Sequence, residues 1–129
     1  MKKILLIEDD LSLRNMYAIR LVADSYDIIT ASDGEEGLAK AITESPDLIL
    51  SDVMMPHVSG FEMVKLLKET PATATIPVIF LTALSDPEGR KKSIELGADR
   101  YFIKSQITLD EIAAEIHTFL DNLPDRDAA

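Results

Sequence analysis

Ile4-Leu-Leu-Ile-Glu8-Asp9-Asp10 runs four apolar residues straight into three acids. The apolar half lacks in–out alternation, which is the pattern of a strand covered on both faces of a parallel sheet. Asp47-Leu-Ile-Leu-Ser-Asp52 repeats the arrangement, and its final carboxylate opens the loop Val53-Met-Met-Pro56-His-Val-Ser-Gly60. A charge at the tip of a buried strand is costly unless its surroundings use it. Two strands that both finish in carboxylates point to a cation site.

Outward from these two stretches, short apolar runs alternate with helix-periodic segments. Strands are expected at residues 3–7, 26–30, 47–51, 78–81 and 100–103, and helices at 11–23, 35–44, 61–69, 87–96 and 109–123. The first helix carries Met16, Ile19 and Val22 as its apolar stripe, and the second is expected to bury Leu38, Ala41 and Ile42. The third offers Phe61, Val64 and Leu67. Asp33 can cap the second helix with Glu36 at the capping-box position, and Thr108 with Glu111 does the same for the fifth. Ser85-Asp86-Pro87-Glu88 is a start signal for the fourth, and Gly97 suits its end. The result is an α/β fold: five β-α units making one doubly wound, five-stranded parallel sheet with helices on both faces. Ligands in such sheets sit at the carboxyl ends of the strands. Glu8, Asp9, Asp52, Thr82 and Lys104 all fall there.

Bulk properties narrow the function. A chain of 129 residues, 47% hydrophobic, has the size and the apolar content of one ordinary domain. Thirteen basic residues against 23 acidic ones give a net charge of −10, which argues against direct nucleic-acid binding and against an anionic membrane surface. The absence of cysteine excludes disulfide frameworks and thiolate metal sites. No apolar run approaches the roughly 20 residues that span a bilayer, and the run after Lys2-Lys3 is too short for a signal peptide. A cytoplasmic protein is the expectation.

The acids carry the chemistry. Two carboxylates about 4 Å apart repel by roughly 4 kcal/mol at an effective dielectric of 20. If Glu8, Asp9 and Asp52 converge, a proton must be shared or a divalent cation bound. Oxygen-only donors favour a hard ion, and Mg²⁺ takes one or two carboxylates while leaving room for a phosphate oxygen. An aspartate can be the nucleophile of an aspartyl phosphate, in a reaction that needs positioning and charge neutralisation more than acid–base work. Lys104 would add positive charge, and Thr82 a hydroxyl hydrogen bond. Each piece also has a plain structural reading: Glu8-Asp9-Asp10 as an acidic run before a helix, Asp52 as a turn cap, Thr82 as a strand-end hydroxyl and Lys104 as a solvated charge. His57 reads as a surface histidine, His117 as a solvated helix residue and Arg90-Lys91-Lys92 as a solvated face able to dock an acidic partner.

Four pieces in order carry a resemblance: Ile4-Leu-Leu-Ile-Glu8-Asp9-Asp10; Asp47 to Pro56 with Gly60; Pro77-Val-Ile-Phe-Leu-Thr82-Ala83; and Gly97-Ala-Asp-Arg-Tyr101-Phe-Ile-Lys104. Together they resemble the response regulator receiver domain of two-component signalling. The resemblance implies the strand order 2-1-3-4-5, a receiver domain over residues 1–123 and a short polar tail over 124–129. It implies that Asp52 is the phosphoacceptor and that Glu8 and Asp9 are the acidic pair, with Arg14 keeping the family's spacing. It further implies Mg²⁺ held by Asp9, Asp52 and the Met54 backbone carbonyl beside Glu8. Thr82 and Lys104 match the phosphoryl-sensing groups, and Tyr101 matches the aromatic whose rotamer follows Thr82. The implied partners are a sensor histidine kinase or phosphotransfer protein and a downstream effector. The implied output is a switch of the face formed by the fourth helix, fifth strand and fifth helix, in a protein that is not an enzyme beyond its own phosphorylation and dephosphorylation.

Two departures from that pattern stand out. Ser105 follows Lys104 where the family usually has proline, which leaves the reach of Lys104 open. Met54 and Leu84, two residues beyond Asp52 and Thr82, are apolar, so a long-lived phosphoryl group is expected. The fifth helix is poor in basic residues, which fits a stand-alone or an excised receiver. Three other functions compete. A Mg²⁺-dependent aspartyl-phosphate phosphohydrolase would want a second acid where Met54 stands. A flavodoxin-like carrier would want a hydroxyl- or glycine-rich loop after the first strand. A pseudo-receiver would not need the full set of Glu8, Asp9, Asp52, Thr82 and Lys104.

Overall fold

Alternate residues of each strand go to opposite sides of one sheet, and both sides are buried. A computed structural model describes residues 1–123; the expected tail lies outside the described residues. The strands are β1 (Lys3–Ile7), β2 (Asp27–Ala31), β3 (Leu48–Ser51), β4 (Val78–Thr82) and β5 (Arg100–Ile103). All neighbours are parallel, in the order β2-β1-β3-β4-β5. The helices are α1 (Leu11–Ala23), α2 (Gly34–Glu44), α3 (Gly60–Glu69), α4 (Pro87–Leu96) and α5 (Leu109–Asp121).

Leu5, Ile7, Ile49, Val78 and Phe80 pack with Ala41 of α2 and with Met63, Val64 and Leu67 of α3. Ile4, Leu6, Leu48, Leu50, Ile79 and Leu81 pack with Tyr17 and Leu21 of α1 and with Ile112, Ile116 and Leu120 of α5. Two full cores therefore flank the sheet, which is why its strands read as unbroken apolar runs.

Local signals set the helix ends. Asp10, Asp33, Ser59, Asp86 and Thr108 each accept a hydrogen bond from a backbone amide of the first turn that they cap. Thr108 and Glu111 form the complete reciprocal box, whereas the Glu36 carboxylate turns to the Ser32 hydroxyl. Gly97 ends α4 at φ 106°, a conformation that costs an L residue.

Some expectations are corrected. The stripe Met16-Ile19-Val22 does not face the core: Ile19 is 72% and Val22 57% exposed, and Tyr17 and Leu21 are buried instead. Helix α1 is apolar on both stripes, and the aromatic ring and leucine fill the space over β1 better. Ile42 is likewise 46% exposed, because the glycine face of α2 is the one laid on the sheet: a Cβ at Gly37 would stand 2.4 Å from Ile7 Cδ1. Strand β2 begins and ends one residue later than expected, since Glu8 N–H donates to Ala31 O and extends the pairing with β1. Helix α5 stops at Asp121, two residues early, where Asn122 caps it.

Candidate functional site

Strand register delivers the acids to one place. Ile7 lies opposite both Ala31 and Ser51, so Glu8 and Asp52 each leave the sheet at its carboxyl edge. Asp52 N–H donates to Ile7 O at 3.1 Å, which holds the residue in line with β1. The following loop folds back on itself: Gly60 N–H donates to Val53 O at 2.8 Å, and a Cβ at Gly60 would lie 2.5 Å from Asp52 O. Glycine is needed at that crossing.

Ligand oxygens of Glu8, Asp9 and Asp52 lie within 4.8 Å of one another. Glu8 and Asp52 are 3% and 7% exposed, while Asp9 stands at the rim. Asp52 Oδ1 accepts from Val53 N–H at 2.7 Å and from Met54 N–H at 3.3 Å, which fixes the carboxylate plane. Lys104 Nζ donates to Glu8 Oε1 at 2.6 Å and to Asp52 Oδ2 at 3.0 Å. Burial raises the Glu8 pKa above the usual carboxylate value, against the opposing pull of its bonds from Lys104 and the Asp10 amide. For Lys104, burial alone would lower the pKa; the bonds to Glu8 and Asp52 outweigh it and the net shift is upward.

The reach of Lys104 is thereby answered. No cis peptide bond occurs among the described residues, and Lys104–Gln106 form a 3₁₀ turn that leaves the lysine pointing into the acids. Asp10, third in the acidic run, turns away to cap α1 through Leu13 N–H at 2.9 Å. Arg14 donates to Glu8 O at 3.0 Å and so braces the end of β1.

Thr82 is fully buried at the end of β4, and its hydroxyl accepts from Leu84 N–H at 3.1 Å. Tyr101 is buried on β5, with its hydroxyl donating to Leu84 O at 2.7 Å. Leu84 therefore bonds to both. Sequence gave no sign of this link, because both bonds use its backbone. Met54 is 60% exposed beside the acids, whereas Leu84 packs against the core. His57 holds a left-handed turn at φ 68°.

As a donor set, three hard carboxylate oxygens with one at the rim suit a small divalent cation such as Mg²⁺. The half-buried lysine between two of them suits an incoming anionic group.

Known proteins are similar to this chain over most of its length. A family model described as "Response regulator receiver domain" matches residues 4–117. The alkaline phosphatase synthesis transcriptional regulatory protein PhoP of Bacillus subtilis is 44% identical over 103 residues, covering 80% of this chain and 42% of that protein. The gliding motility regulatory protein of Myxococcus xanthus is 37% identical, over 88% of this chain and 15% of its own length. The chain thus spans less than half of either relative. Among solved structures, chemotaxis protein CheY4 of Vibrio cholerae superposes with a TM-score of 0.84 at 32% identity, covering 92% of this chain and 98% of that one. A signal receiver domain of a histidine kinase from Syntrophus aciditrophicus gives a TM-score of 0.88 at 31% identity, covering 100% and 97%.

Proposed function

The chain belongs to the response regulator receiver family, and from that premise we propose that residues 1–123 are a receiver domain whose Asp52 accepts a phosphoryl group. The observation that carries this reading is Lys104 Nζ bridging Glu8 and Asp52 inside the acid cluster. The donor is a phosphohistidine on a sensor kinase or phosphotransfer protein. An Asp52 oxygen attacks phosphorus, a P–O bond forms, the P–N bond breaks, and its electron pair stays on the imidazole nitrogen, which takes up a proton. The work is positioning and charge neutralisation. Two backbone amides hold the carboxylate for in-line attack, Lys104 faces the negative charge on the phosphoryl oxygens, and Thr82 offers them its hydroxyl.

Asp9, Asp52 and the Met54 carbonyl would hold Mg²⁺ with Glu8 beside it, and the ion supplies two positive charges against the gathered carboxylates and phosphoryl oxygens. Tyr101 follows Thr82 through Leu84, and the face of α4, β5 and α5 changes population and presents itself to a downstream effector. On this reading the chain is a switch working in the cytoplasm, without a separate substrate. The phosphohydrolase alternative lacks its second acid at Met54, and the pseudo-receiver alternative leaves the paired lysine–acid cluster without a task.

The test is intact mass after incubation with Mg²⁺ and a small phosphoryl donor such as acetyl phosphate. A single phosphoryl adduct is expected, absent in EDTA and in Asp52→Asn. No adduct with any donor would favour the pseudo-receiver; an adduct that survives in Asp52→Asn would remove Asp52 from the role.

A further inference from the structure

The seat of Tyr101 is built by its neighbours. Its hydroxyl donates to Leu84 O at 2.7 Å, Arg90 lies over the ring at 5.5 Å, and Phe80 meets it edge to face at 6.4 Å. Beneath the hydroxyl lies Gly89, buried in the first turn of α4, where its N–H donates to the cap Asp86 Oδ1 at 2.6 Å. A Cβ at Gly89 would stand 2.8 Å from Leu84 Cδ2, 3.0 Å from the Tyr101 hydroxyl and 3.1 Å from Asp86 Oδ1. The backbone there is not in the left-handed region, since Gly97 is the positive-φ glycine among the described residues. Helices disfavour glycine, so its conformation gives no reason for Gly89. The space it leaves does.

We infer that Gly89 is a positioning residue for the inward state of Tyr101: the missing side chain is the volume in which the Tyr101 hydroxyl and the Leu84 side chain meet. This rests on the proposed reading of Tyr101 as the switch for its meaning, but not for its geometry. Lys104 is paired with Asp52 while Tyr101 is already inward, so this chain does not need a rearranged acid cluster to seat the ring. A methyl group at position 89 crowds both occupants. The Leu84 side-chain end and the Tyr101 hydroxyl are both crowded, and outward rotation of the ring is the movement that relieves the hydroxyl contact. The equilibrium between inward and outward Tyr101 is therefore set from α4 as well as from Thr82, and an effector contacting α4 reads and biases the same equilibrium.

The chain has three tyrosines, Tyr17, Tyr26 and Tyr101, so incorporation of 3-fluorotyrosine gives three ¹⁹F signals, with Tyr101→Phe and Tyr26→Phe assigning two and leaving Tyr17 as the third. The measurement is broadening by a soluble paramagnetic agent, on the unphosphorylated chain without Mg²⁺. Native Tyr101 is expected to be protected like Tyr17. In Gly89→Ala its broadening should rise several-fold while Tyr17 stays protected, which reports that the fold is intact. A Tyr101 signal still protected in Gly89→Ala would overturn the inference. If Gly89→Ala weakens the fold as a whole, melting temperatures decide instead. Removing the hydroxyl removes the crowded atom, so Gly89→Ala should cost less in the Tyr101→Phe background, and additive shifts would overturn the inference equally. Neither measurement uses a phosphoryl donor, so failure of Asp52 phosphorylation and failure of the Gly89 seat are told apart.

Discussion

Lys104 Nζ and Glu8 Oε1 meet at 2.6 Å across 96 residues of chain, and the same ammonium reaches Asp52 at 3.0 Å. A protein cation thus occupies part of the field that a divalent ion would use. Replacing Lys104 by Met should tighten Mg²⁺ binding about tenfold, or about 1.4 kcal/mol, a fraction of the roughly 4 kcal/mol that two charges 4 Å apart exchange at a dielectric of 20. The variant should also melt lower in EDTA, with Glu8 and Asp52 left unpaired, and regain more on adding Mg²⁺ than the native chain does. Calorimetric titration checks the first point, and unchanged or weaker Mg²⁺ affinity would defeat it.

Glu8 has its pKa raised, chiefly by burial. A carboxyl raised in the folded state stabilises the fold below its ordinary value, and that stability is lost as pH climbs through the raised value. In metal-free buffer, Glu8→Gln should therefore melt higher than the native chain at pH 7, by roughly 2–6 °C, the shift that about 1 kcal/mol gives in domains near this size. The advantage should vanish below pH 4. Melting curves across pH in EDTA test this, and a Glu8→Gln variant less stable at pH 7 would show that the pair with Lys104 outweighs burial.

Met54 stands exposed beside the acids and offers nothing to orient a water. Met54→Asn should shorten the lifetime of the phosphorylated chain by about 3- to 10-fold, below the 10²–10⁴ of a fully positioned acid or base. Leu84→Glu should act in the same direction, but it gives up packing beside Gly89, so its effect should come with a lower melting temperature. Loss of the adduct followed by mass, with no phosphatase present, settles the direction. A native adduct that decays at once would remove the basis for both changes.

Leu11, Ile19 and Val22 form an exposed apolar face on α1, starting one residue after Asp10. Exposed apolar side chains on a helix that starts beside the acids are available to a docking protein. Ile19→Lys should slow phosphotransfer from a protein phosphohistidine donor about tenfold, the effect of losing one contact worth about 1.4 kcal/mol. Phosphorylation by acetyl phosphate should stay within about twofold, because a small donor has no such contact to lose. Equal slowing of both donors would mean that the change disturbs the acids instead.

Fold class was legible because buried parallel strands leave continuous apolar runs and because the caps sit where the helices begin, whereas the sheet order followed from the family resemblance alone. Asp86-Pro87 and Thr108 with Glu111 are local devices, read from a few residues. The inner face of α1 was not legible: both stripes are apolar, so periodicity finds the helix without finding its rotation, and only packing over β1 chooses Tyr17 and Leu21 over Ile19 and Val22. The acids and Lys104 were legible as strand-end residues, but their pairing was not, since it depends on the turn that Ser105 makes. The bonds from Leu84 to Thr82 and Tyr101 involve backbone atoms, for which residue identity carries no signal.

The strand register carries a last consequence. Glu8, Asp52, Thr82 and Lys104 lie at the ends of four different strands, each aligned by its neighbour: Ile7 with Ser51, Ser51 with Phe80, Thr82 with Ile103. A one-residue slip of any strand moves its contribution about 3.3 Å and turns it to the other face. The acid cluster therefore works as a built-in proofreader of the sheet. A chain with β1, β3 or β5 misaligned would keep much of its apolar burial and look folded, yet it could not assemble the charge pattern, so assembly of the cluster reports that these three strands have found their places.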